Sequence, residues 1–327
     1  MFSHSLLDSA LTARLPLLAE PHNTAVRLFN GFFEGWPELV VDLYAATLVL
    51  FNYADNPADL ADALPAAADF YRARLPWLAA VLVKTRHSLI PAERDGQLLW
   101  GGPLARRVHE NGVWYAIDLT LHQDASFYID IRGLRAWLKA NISGLSVFNT
   151  FAYTGSLGAA CRAGGAARVL QVDLNRRFLN LAKDTFSLNG WPVQRADFLA
   201  EDFFRLAGQL RRRAESFDLV ILDPPIFSAT PAGRVDLVGD PVRLINKVRP
   251  LVRGGGRLIA VNNALFTSGE EYIRLLEGLG ADGHLALEEI IPVPEDICGY
   301  PETRLSIPPA NPAPFNHPTK IAILRIK

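Results

Sequence analysis

The stretch Phe217-Asp218-Leu219-Val220-Ile221-Leu222 runs directly into Asp223-Pro224-Pro225-Ile226-Phe227. Its apolar first half predicts a buried β-strand that ends at the acid. Proline fixes φ and removes an N–H donor, and the residue before a proline is held extended, so the segment leaving the strand is stiff. A carboxylate, a carbonyl-lined corner and a ring then lie together. Such a corner can accept hydrogen bonds from a planar amino group and stack on its ring, although an ordinary strand end is the alternative.

A second motif lies upstream and has the order strand, glycine turn, helix, strand. Leu145 to Asn149 predicts the first strand, Gly155-Ser156-Leu157-Gly158 the turn, and Arg168 to Asp173 a second buried strand that ends in an acid. In a βαβ nucleotide site, an acid in this place binds ribose hydroxyls. A complete G-x-G-x-x-G fingerprint is absent. The motif therefore disfavours NAD and favours a looser adenosine site.

The remaining pattern extends this unit into a larger α/β fold. From Ile131 onward, apolar strands alternate with amphipathic helices, which predicts a parallel sheet with helices on both faces. One of the short strands is expected at Gln194–Ala196, and Leu285–Pro292 and Ile321–Ile326 are expected to form an antiparallel pair at the end. We expect three regions: a helical arm (1–20), a small α+β domain (21–106) and the main α/β domain (107–327).

Polar residues stand where four of the predicted parallel strands end. They are Asn149, Asp173, Asp223 and Asn262. Ligands of open α/β sheets bind at the carboxyl ends of the strands. Any one of these residues is also typical of a helix cap or a turn, but four together predict a binding site.

These motifs resemble those of the class I S-adenosylmethionine-dependent methyltransferases, and more closely the bacterial 23S rRNA large-subunit methyltransferases. Four further stretches carry the resemblance: Gln123–Arg132, Leu188-Asn189-Gly190, Asp202-Phe203-Phe204 and Val261-Asn262-Asn263. The resemblance implies a Rossmann-like class I methyltransferase sheet preceded by a small α+β domain. It also implies S-adenosylmethionine as the cofactor, RNA as the substrate, and the smaller domain as a region for substrate or RNA recognition.

Residue roles follow from the motifs and the resemblance together. Asp173 is expected to hold the ribose hydroxyls and Asp202 the adenine amino group, with Asp197 as the competitor for the second role. Asn262 and Asn263 are expected to hold the target base or the loop after Phe227. The predicted catalytic residues are Asp223, Pro224, Pro225 and Phe227, and Phe227 would stack on the target ring. The other predicted cofactor contacts are Phe127, Tyr128, Arg132, Asn149, Phe151, Tyr153, Gly155, Leu174 and Asp223.

The cysteines bear on which atom is methylated. Methylation at C5 of a pyrimidine needs a thiolate that adds to C6, and the cytosine-C5 branch has cysteines where this chain has Asn262 and Asn263. Cys161 is expected inside a helix, and Cys298 has no base nearby in the sequence. Methylation of a ring nitrogen needs no covalent step, because alignment and charge stabilisation can suffice. The sequence therefore resembles the guanine-N7 branch more closely.

Composition predicts a globular cytoplasmic protein without a metal or a membrane span. The chain has 327 residues, 50% of them hydrophobic, with a net charge of −1 and two cysteines. No histidine or cysteine spacing fits zinc, and the beginning of the chain lacks the apolar segment of a signal peptide. No strongly basic footprint typical of phosphate binding is present. Asp124 also stands where the rRNA enzymes usually have lysine.

Alternatives to RNA methylation therefore stay open. The neutral charge and Asp124 favour a methyltransferase for a protein or a small molecule. A non-catalytic RNA-binding protein that kept the fold is a further alternative, although Asp173 and Asp223 are both present. An NAD-dependent oxidoreductase fits the glycine turn and the Pro-Pro segment poorly. Fold by itself does not separate these functions.

Overall fold

The computed structural model describes residues 3–281 and 283–327. Its internal contacts divide the chain into two units, Met1–Asp130 with Pro294–Ile307, and Ile131–Val293 with Pro308–Lys327. The first unit thus runs beyond the boundary expected after residue 106, and it also includes a segment from near the end of the chain.

The first unit is built on a five-stranded sheet in the order β1-β2-β3-β4-β5. Strands β3 and β4 are parallel and the other neighbours are antiparallel. Together with the helices of this unit, this mostly antiparallel sheet has the α+β character that the sequence predicts. The strands are β1 Ala25–Asn30, β2 Leu39–Tyr44, β3 Thr47–Asn52, β4 Ala80–Thr85 and β5 Gln97–Gly101, followed by a separate hairpin of β6 Arg107–Glu110 and β7 Val113–Ala116.

The helices of this unit cover the sheet. The first of them, predicted as an arm, buries Leu7, Ala10 and Leu11 in the same core as the sheet. Residues 57–60 form a 3-10 turn before the third α-helix begins at Ala63. The helices are α1 His4–Arg14, α2 Gly31–Glu34, α3 Ala63–Arg74, α4 Pro91–Asp95 and, from the returning segment, α11 Glu295–Cys298.

A buried ion pair joins α1, α2 and the returning segment. The Arg14 guanidinium donates to both carboxylate oxygens of Glu34, at 2.9 and 3.0 Å, and to the carbonyl oxygen of Asp296 at 2.8 Å. Glu34 also accepts from the backbone N–H of Asn30. Both charged side chains are at most 1% exposed. The Arg14 guanidinium also donates to the carbonyl oxygen of Ala10, and Glu34 also accepts from the Thr303 hydroxyl, so protein groups take the place of water around both charges.

The second unit contains a seven-stranded sheet in the order β10-β9-β8-β11-β14-β16-β15. The first five strands are parallel, and β16 runs antiparallel to both of its neighbours. This confirms the predicted Rossmann-like α/β fold class. The strands are β8 Ser146–Asn149, β9 Arg168–Asp173, β10 Phe198–Ala200, β11 Phe217–Leu222, β14 Val252–Asn262, β15 Leu285–Ile291 and β16 Lys320–Ile326; β12 Phe227–Thr230 and β13 Gly233–Asp236 form a separate hairpin.

The helices of the second unit form two groups. One group shares a core cluster with the sheet through residues such as Phe203, Leu244 and Tyr272. The members of the other group contact one another. The first group is α8 Phe203–Arg212, α9 Pro241–Val248 and α10 Gly269–Leu279, and the second is α5 Arg132–Asn141, α6 Ser156–Ala163 and α7 Arg176–Leu188.

Two local features differ from the sequence predictions. The strand expected at Gln194–Ala196 is wrong, because Arg195–Asp197 forms a 3-10 turn and the strand follows it as β10. The hairpin of β12 and β13 had no counterpart in the predictions. Each of its strands is only four residues long, which is the shortest length over which alternation of apolar and polar residues indicates a strand.

We expect Glu34→Ala to lower the free energy of unfolding by about 3–5 kcal/mol, because it leaves the Arg14 charge buried without a counter-charge. Asp69→Ala is the matched control, since it removes the carboxylate of an ion pair with Arg72 in which Asp69 is 71% exposed. That change should cost less than about 1 kcal/mol. Urea-induced unfolding followed by circular dichroism measures both values. Similar losses in the two variants would contradict the importance of the buried pair.

Candidate cofactor and substrate site

The parallel register brings the four predicted polar residues to one edge of the sheet. Asn149 pairs with Gln171 on β9 and with Ile221 on β11, each within two residues of the end of its strand. Leu222 pairs in turn with Ala260 on β14, so that Asp223 and Asn262 follow at neighbouring strand ends. Parallel strands place their carboxyl ends together, and the four residues therefore lie along one edge of the sheet, with Asn149 and Asn262 buried there.

Asp173 organises the loop between β8 and α6. One carboxylate oxygen accepts from the backbone N–H of Tyr153 at 2.9 Å, and the other accepts from that of Asn175 at 2.8 Å. Burial raises the pKa of Asp173 above its ordinary value, while these two N–H donors act in the opposite direction. Each carboxylate oxygen has a second lone pair. Asp173 can therefore hold this loop and still accept two hydroxyl groups.

The glycine turn fits closely over β9 and α7. Gly155 has φ +77°, and a Cβ there would lie 2.4 Å from Cβ of Ala182 and 2.8 Å from Oε1 of Gln171. A Cβ at Gly158 would lie 2.1 Å from the same Oε1. Gly155 is therefore required by its positive φ and by Ala182, and Gly158 by the Gln171 side chain beneath it. No sequence motif pointed to Gln171.

Two side-chain amides are buried beside this turn. Asn149 and Gln171 are partners in the pairing of β8 with β9, and both are at most 1% exposed. Among the described residues, none forms a hydrogen bond with the polar atoms of either amide. Buried polar groups without partners cost free energy and are typical of functional sites. Only the tertiary structure reveals this pair, because glutamine within a predicted strand carries no local signal.

The two candidates for the adenine contact lie at opposite ends of β10. Asp197 precedes the strand and pairs with Arg168 at the beginning of β9. Asp202 follows the strand, whose last residue, Ala200, pairs with Asp173. It caps α8 by accepting from the N–H of Arg205 at 3.0 Å. The geometry thus favours Asp202 as the acid on the Asp173 side, with one carboxylate oxygen committed to the helix cap.

Most of the other predicted cofactor residues lie in or beside the loop between β8 and α6. The ring of Phe151 lies 4.6 Å from that of Phe203, and the ring of Tyr153 lies 4.5 Å from that of Phe178. Leu174, directly after Asp173, is 66% exposed. Arg132 is the first residue of α5 and is partly exposed. Of these, Phe151, Tyr153 and Leu174 flank Asp173 and its loop.

The Asp223 segment leaves β11 beside the end of β14. Pro224 and Asn262 line a cavity of about 10 Å³, room for about one water molecule. Asn262 accepts from the N–H of Ala264 at 2.9 Å, and its buried Nδ2 has no partner among the described residues. Phe227, at the beginning of β12, is 60% exposed. An aromatic ring and a carboxylate are thus presented at the edge where Asp173 lies.

Residues 123–130 of the stretch Gln123–Arg132 belong to the first unit. Phe127 is 3% exposed there, and its carbonyl oxygen accepts from the Tyr44 hydroxyl. Tyr128 is exposed and donates from its hydroxyl to Asp124. Asp124 also pairs with Arg86 at 2.7 Å, and hydrogen bonds from His122, Arg86 and Tyr128 together with the Arg86 charge hold its pKa well below its usual range, against the effect of burial. The Asp124 anion is therefore balanced by a neighbouring cation.

Both cysteines are buried. Cys161 is fully enclosed in α6, and burial raises the pKa of its thiol. Burial likewise raises the pKa of Cys298, in the first unit, to about 12. A thiol of this kind is largely protonated at neutral pH, so it is a poor nucleophile.

Neither a metal cluster nor a membrane-spanning helix is found in the described part of the chain. Over residues 3–281 and 283–327, no three histidine, cysteine or acidic side chains come together in a way that could hold a metal ion. Within the same ranges, every helix is too short or too polar to cross a membrane.

The parallel sheet, the glycine turn and the acid at the end of β9 define a Rossmann-like protein with a site for an adenosine-containing cofactor. The donor and acceptor groups fit S-adenosylmethionine. Asp173 suits the ribose hydroxyls, Asp202 suits the adenine amino group, and Gly155 keeps the turn close to the sheet.

The chain belongs to the S-adenosylmethionine-dependent methyltransferase family, whose family model matches residues 26–279. It is 29% identical over 266 residues to YwbD of Bacillus subtilis, a protein named as a candidate ribosomal RNA large subunit methyltransferase. It is 31% identical over 238 residues to ribosomal RNA large subunit methyltransferase I of Aeromonas salmonicida. The predicted family and cofactor are thereby confirmed.

These alignments cover different shares of each chain. They include 80% of this chain and 67% of the Bacillus protein, but 69% of this chain and 57% of the Aeromonas protein. The structure of SMU.776, a methyltransferase candidate complexed with SAH, has a TM-score of 0.84 at 21% identity and covers 98% of this chain and 80% of that chain. The chain therefore spans little more than half the length of several curated relatives, and the structural likeness shows the shared fold.

We expect the affinity for S-adenosylmethionine to fall on acidification, beginning above the ordinary aspartate pKa of about 3.9. Ribose hydroxyls favour the carboxylate form of Asp173, so binding releases a proton from the protonated form. Affinity should therefore rise with pH up to the raised pKa of Asp173 and stay level above it. Titration calorimetry across the acidic to neutral range measures this dependence.

Two variants test whether Asp173 is the responsible group. Asp173→Asn should weaken binding about tenfold or more and remove most of the pH dependence, because a hydrogen bond to a charged group contributes roughly 1.5–3 kcal/mol. Asp197→Asn is the matched control, since Asp197 lies at the other end of β10. An equal loss of affinity in both variants would refute the assignment.

Proposed function

We propose that the protein transfers a methyl group from S-adenosylmethionine to a nucleobase nitrogen of ribosomal RNA, without a cysteine nucleophile. The observation that carries the proposal is the segment Asp223–Phe227. It places a carboxylate and a 60% exposed aromatic ring at the same edge of the sheet as Asp173. A flat acceptor with a hydrogen-bonding edge fits such a pair of groups better than a flexible side chain does.

In this proposal the cofactor lies across the carboxyl ends of β8, β9 and β10. Asp173 accepts from the ribose hydroxyls and the free oxygen of Asp202 accepts from the adenine amino group. The methionine end of the cofactor contacts Asn149 and the Gly155 turn, together with Phe151, Tyr153, Leu174 and Arg132. Phe127 and Tyr128, the other two predicted cofactor contacts, belong to the first unit.

The target base lies against Phe227 with its edge toward Asp223 and the carbonyl oxygen of Pro224. When bound, the cofactor supplies a methyl group activated by its positively charged sulfur. Asp223 aligns the base and stabilises the positive charge that develops on its ring as the nitrogen lone pair is used. Pro225 keeps the segment stiff, and Asn262 and Asn263 hold the neighbouring loop at the end of β14.

The state of the two thiols supports transfer to nitrogen. Carbon methylation at C5 of a pyrimidine requires an exposed thiolate. Cys161 is fully buried, and the thiol of Cys298 has a pKa raised to about 12. Asn262 and Asn263 at the end of β14 supply amides instead, which suits base recognition.

RNA is proposed as the substrate from the relatives and from the chemistry of this edge. Curated relatives are named as ribosomal RNA large subunit methyltransferases. Asp124 stands where the rRNA enzymes usually have lysine, but its negative charge is paired with Arg86. The low net charge of −1 favours recognition by stacking and shape over recognition by many phosphate contacts. The small first unit is the region proposed to recognise the shape of the RNA.

We expect purified protein to transfer a labelled methyl group from S-adenosylmethionine to 23S ribosomal RNA isolated from a strain that lacks the corresponding gene. Phe227→Leu should lower kcat/KM for RNA about tenfold, because an apolar side chain without a ring loses stacking worth roughly 1–3 kcal/mol. Asp223→Asn should lower kcat about a hundredfold or more, since it removes the charge at the reacting edge. Nuclease digestion with mass spectrometry identifies the methylated atom.

The double variant Cys161→Ala, Cys298→Ala is the control for nucleophilic catalysis and should retain nearly full kcat in protein that remains folded. A cysteine-independent reaction would be refuted if the double variant lost activity and the wild type formed a covalent adduct with fluoropyrimidine RNA. Unlabelled RNA despite calorimetric binding of the cofactor would refute the RNA proposal. In that case the acceptor would be sought among proteins and small molecules.

A further inference from the structure

A second aromatic ring is exposed at the edge that carries the Asp223 segment. Phe266, in the loop between β14 and α10, is 80% exposed and its neighbour Leu265 is 49% exposed. Phe266 is the most exposed aromatic side chain in the described part of the chain. Leaving such a ring in water forgoes roughly 2 kcal/mol of burial, and an exposed apolar surface next to a site often contacts a ligand.

The loop that carries this ring is anchored on both sides. Ala264 donates its N–H to Asn262 at 2.9 Å, and its carbonyl oxygen accepts from the fully buried Nζ of Lys320 at 3.0 Å. After the ring, Ser268 and Glu271 form a reciprocal capping box at the beginning of α10. The backbone that carries the exposed Phe266 ring is therefore held by hydrogen bonds on both sides of the ring.

The Phe266 loop and the Asp223 segment leave neighbouring strands. Leu222 on β11 pairs with Ala260 on β14, and Pro224 and Asn262 line the same small cavity. Beyond Pro224, the Phe227 ring is exposed, and the Arg234 guanidinium lies 6.0 Å from its centre. Two exposed aromatic rings thus lie on loops that leave neighbouring strands at this edge. Arg234, beside Phe227, pairs with Asp236 at 2.8 Å.

Unpaired nucleotides have the chemistry to occupy such an edge. Bases stack on aromatic side chains, arginine contacts both rings and phosphates, and single-stranded RNA exposes base faces that a duplex hides. A stable protein interface buries about 800 Å² per partner, far more than a few exposed side chains.

We propose that Phe266 stacks on the unpaired nucleotide next to the target base, while the target base stacks on Phe227. This inference rests on the proposed function and deepens it, because it adds a recognition site for the nucleotide beside the target. The substrate is then a single-stranded or splayed RNA segment, recognised over at least two consecutive bases. Phe266 acts in substrate binding and takes no part in the chemical step.

The test is steady-state methyl transfer to ribosomal RNA and to short RNA oligonucleotides that contain the methylated nucleotide. Phe266→Ala should raise KM for RNA about tenfold, which corresponds to roughly 1.4 kcal/mol, with kcat changed less than twofold. KM for S-adenosylmethionine should stay unchanged. Phe266→Trp should restore the low KM, and Phe266→Leu should not, because only an aromatic face stacks on a base.

A further substrate change probes the same contact from the RNA side. Replacing the base on either side of the target by an abasic nucleotide should raise KM for the wild type at one of the two positions. The same replacement should have little further effect in Phe266→Ala, because the stacking partner is already missing. Leu89→Ala, which truncates a 93% exposed leucine in the first unit, is the control for general loss of exposed apolar surface.

The outcomes separate this inference from the function on which it rests. A wild-type protein that methylates no RNA would refute the proposed function. An active wild type with an unchanged KM in Phe266→Ala, or with Phe266→Leu as effective as the aromatic variants, would overturn the stacking site alone. A changed oligomeric state of Phe266→Ala in light scattering would show that the ring joins two copies of the chain, and would also overturn it.

Discussion

The pairing register of β8, β9, β11 and β14 is the constraint on which the rest of the second unit depends. The backbone N–H and the hydroxyl of Thr150 both donate to the carbonyl oxygen of Ile221, which locks the end of β8 against β11. A shift by one residue would turn every side chain to the opposite face. The register therefore fixes which polar residues meet at the carboxyl edge, before any of them can act on a ligand.

Several residues of the proposed site also have a structural role. Asp173 holds the loop before α6 through two N–H donors, and Asp202 caps α8. Lys320 lies fully buried under the Phe266 loop, where it donates to the carbonyl oxygens of Ala264 and Pro318. Burial lowers the pKa of Lys320 to about 8. These contacts preorganise the edge, so that binding a ligand requires little further ordering of the loops.

The charge distribution explains how an almost neutral protein can suit an RNA substrate. Arg211, Arg212 and Arg213 end α8 near the beginning of β11, at the edge opposite to Asp223. They therefore do not extend the candidate site. The exposed groups on the segments after β11 and β14 include the rings of Phe227 and Phe266, and the nearby Arg234 is paired with Asp236. Recognition by base stacking tolerates a low net charge better than recognition of phosphates does.

The sequence by itself determined the parallel α/β sheet and the polar ends of its strands, because apolar strand runs, glycine turns and X-Pro segments act locally. It misplaced β10 and did not predict the hairpin of β12 and β13, whose strands are only four residues long. Only the tertiary structure separated Asp202 from Asp197, buried Phe127, and brought Gln171 beneath the glycine turn. These outcomes depend on which strands become neighbours and which side chains water reaches, and both are set by contacts between residues far apart in the chain.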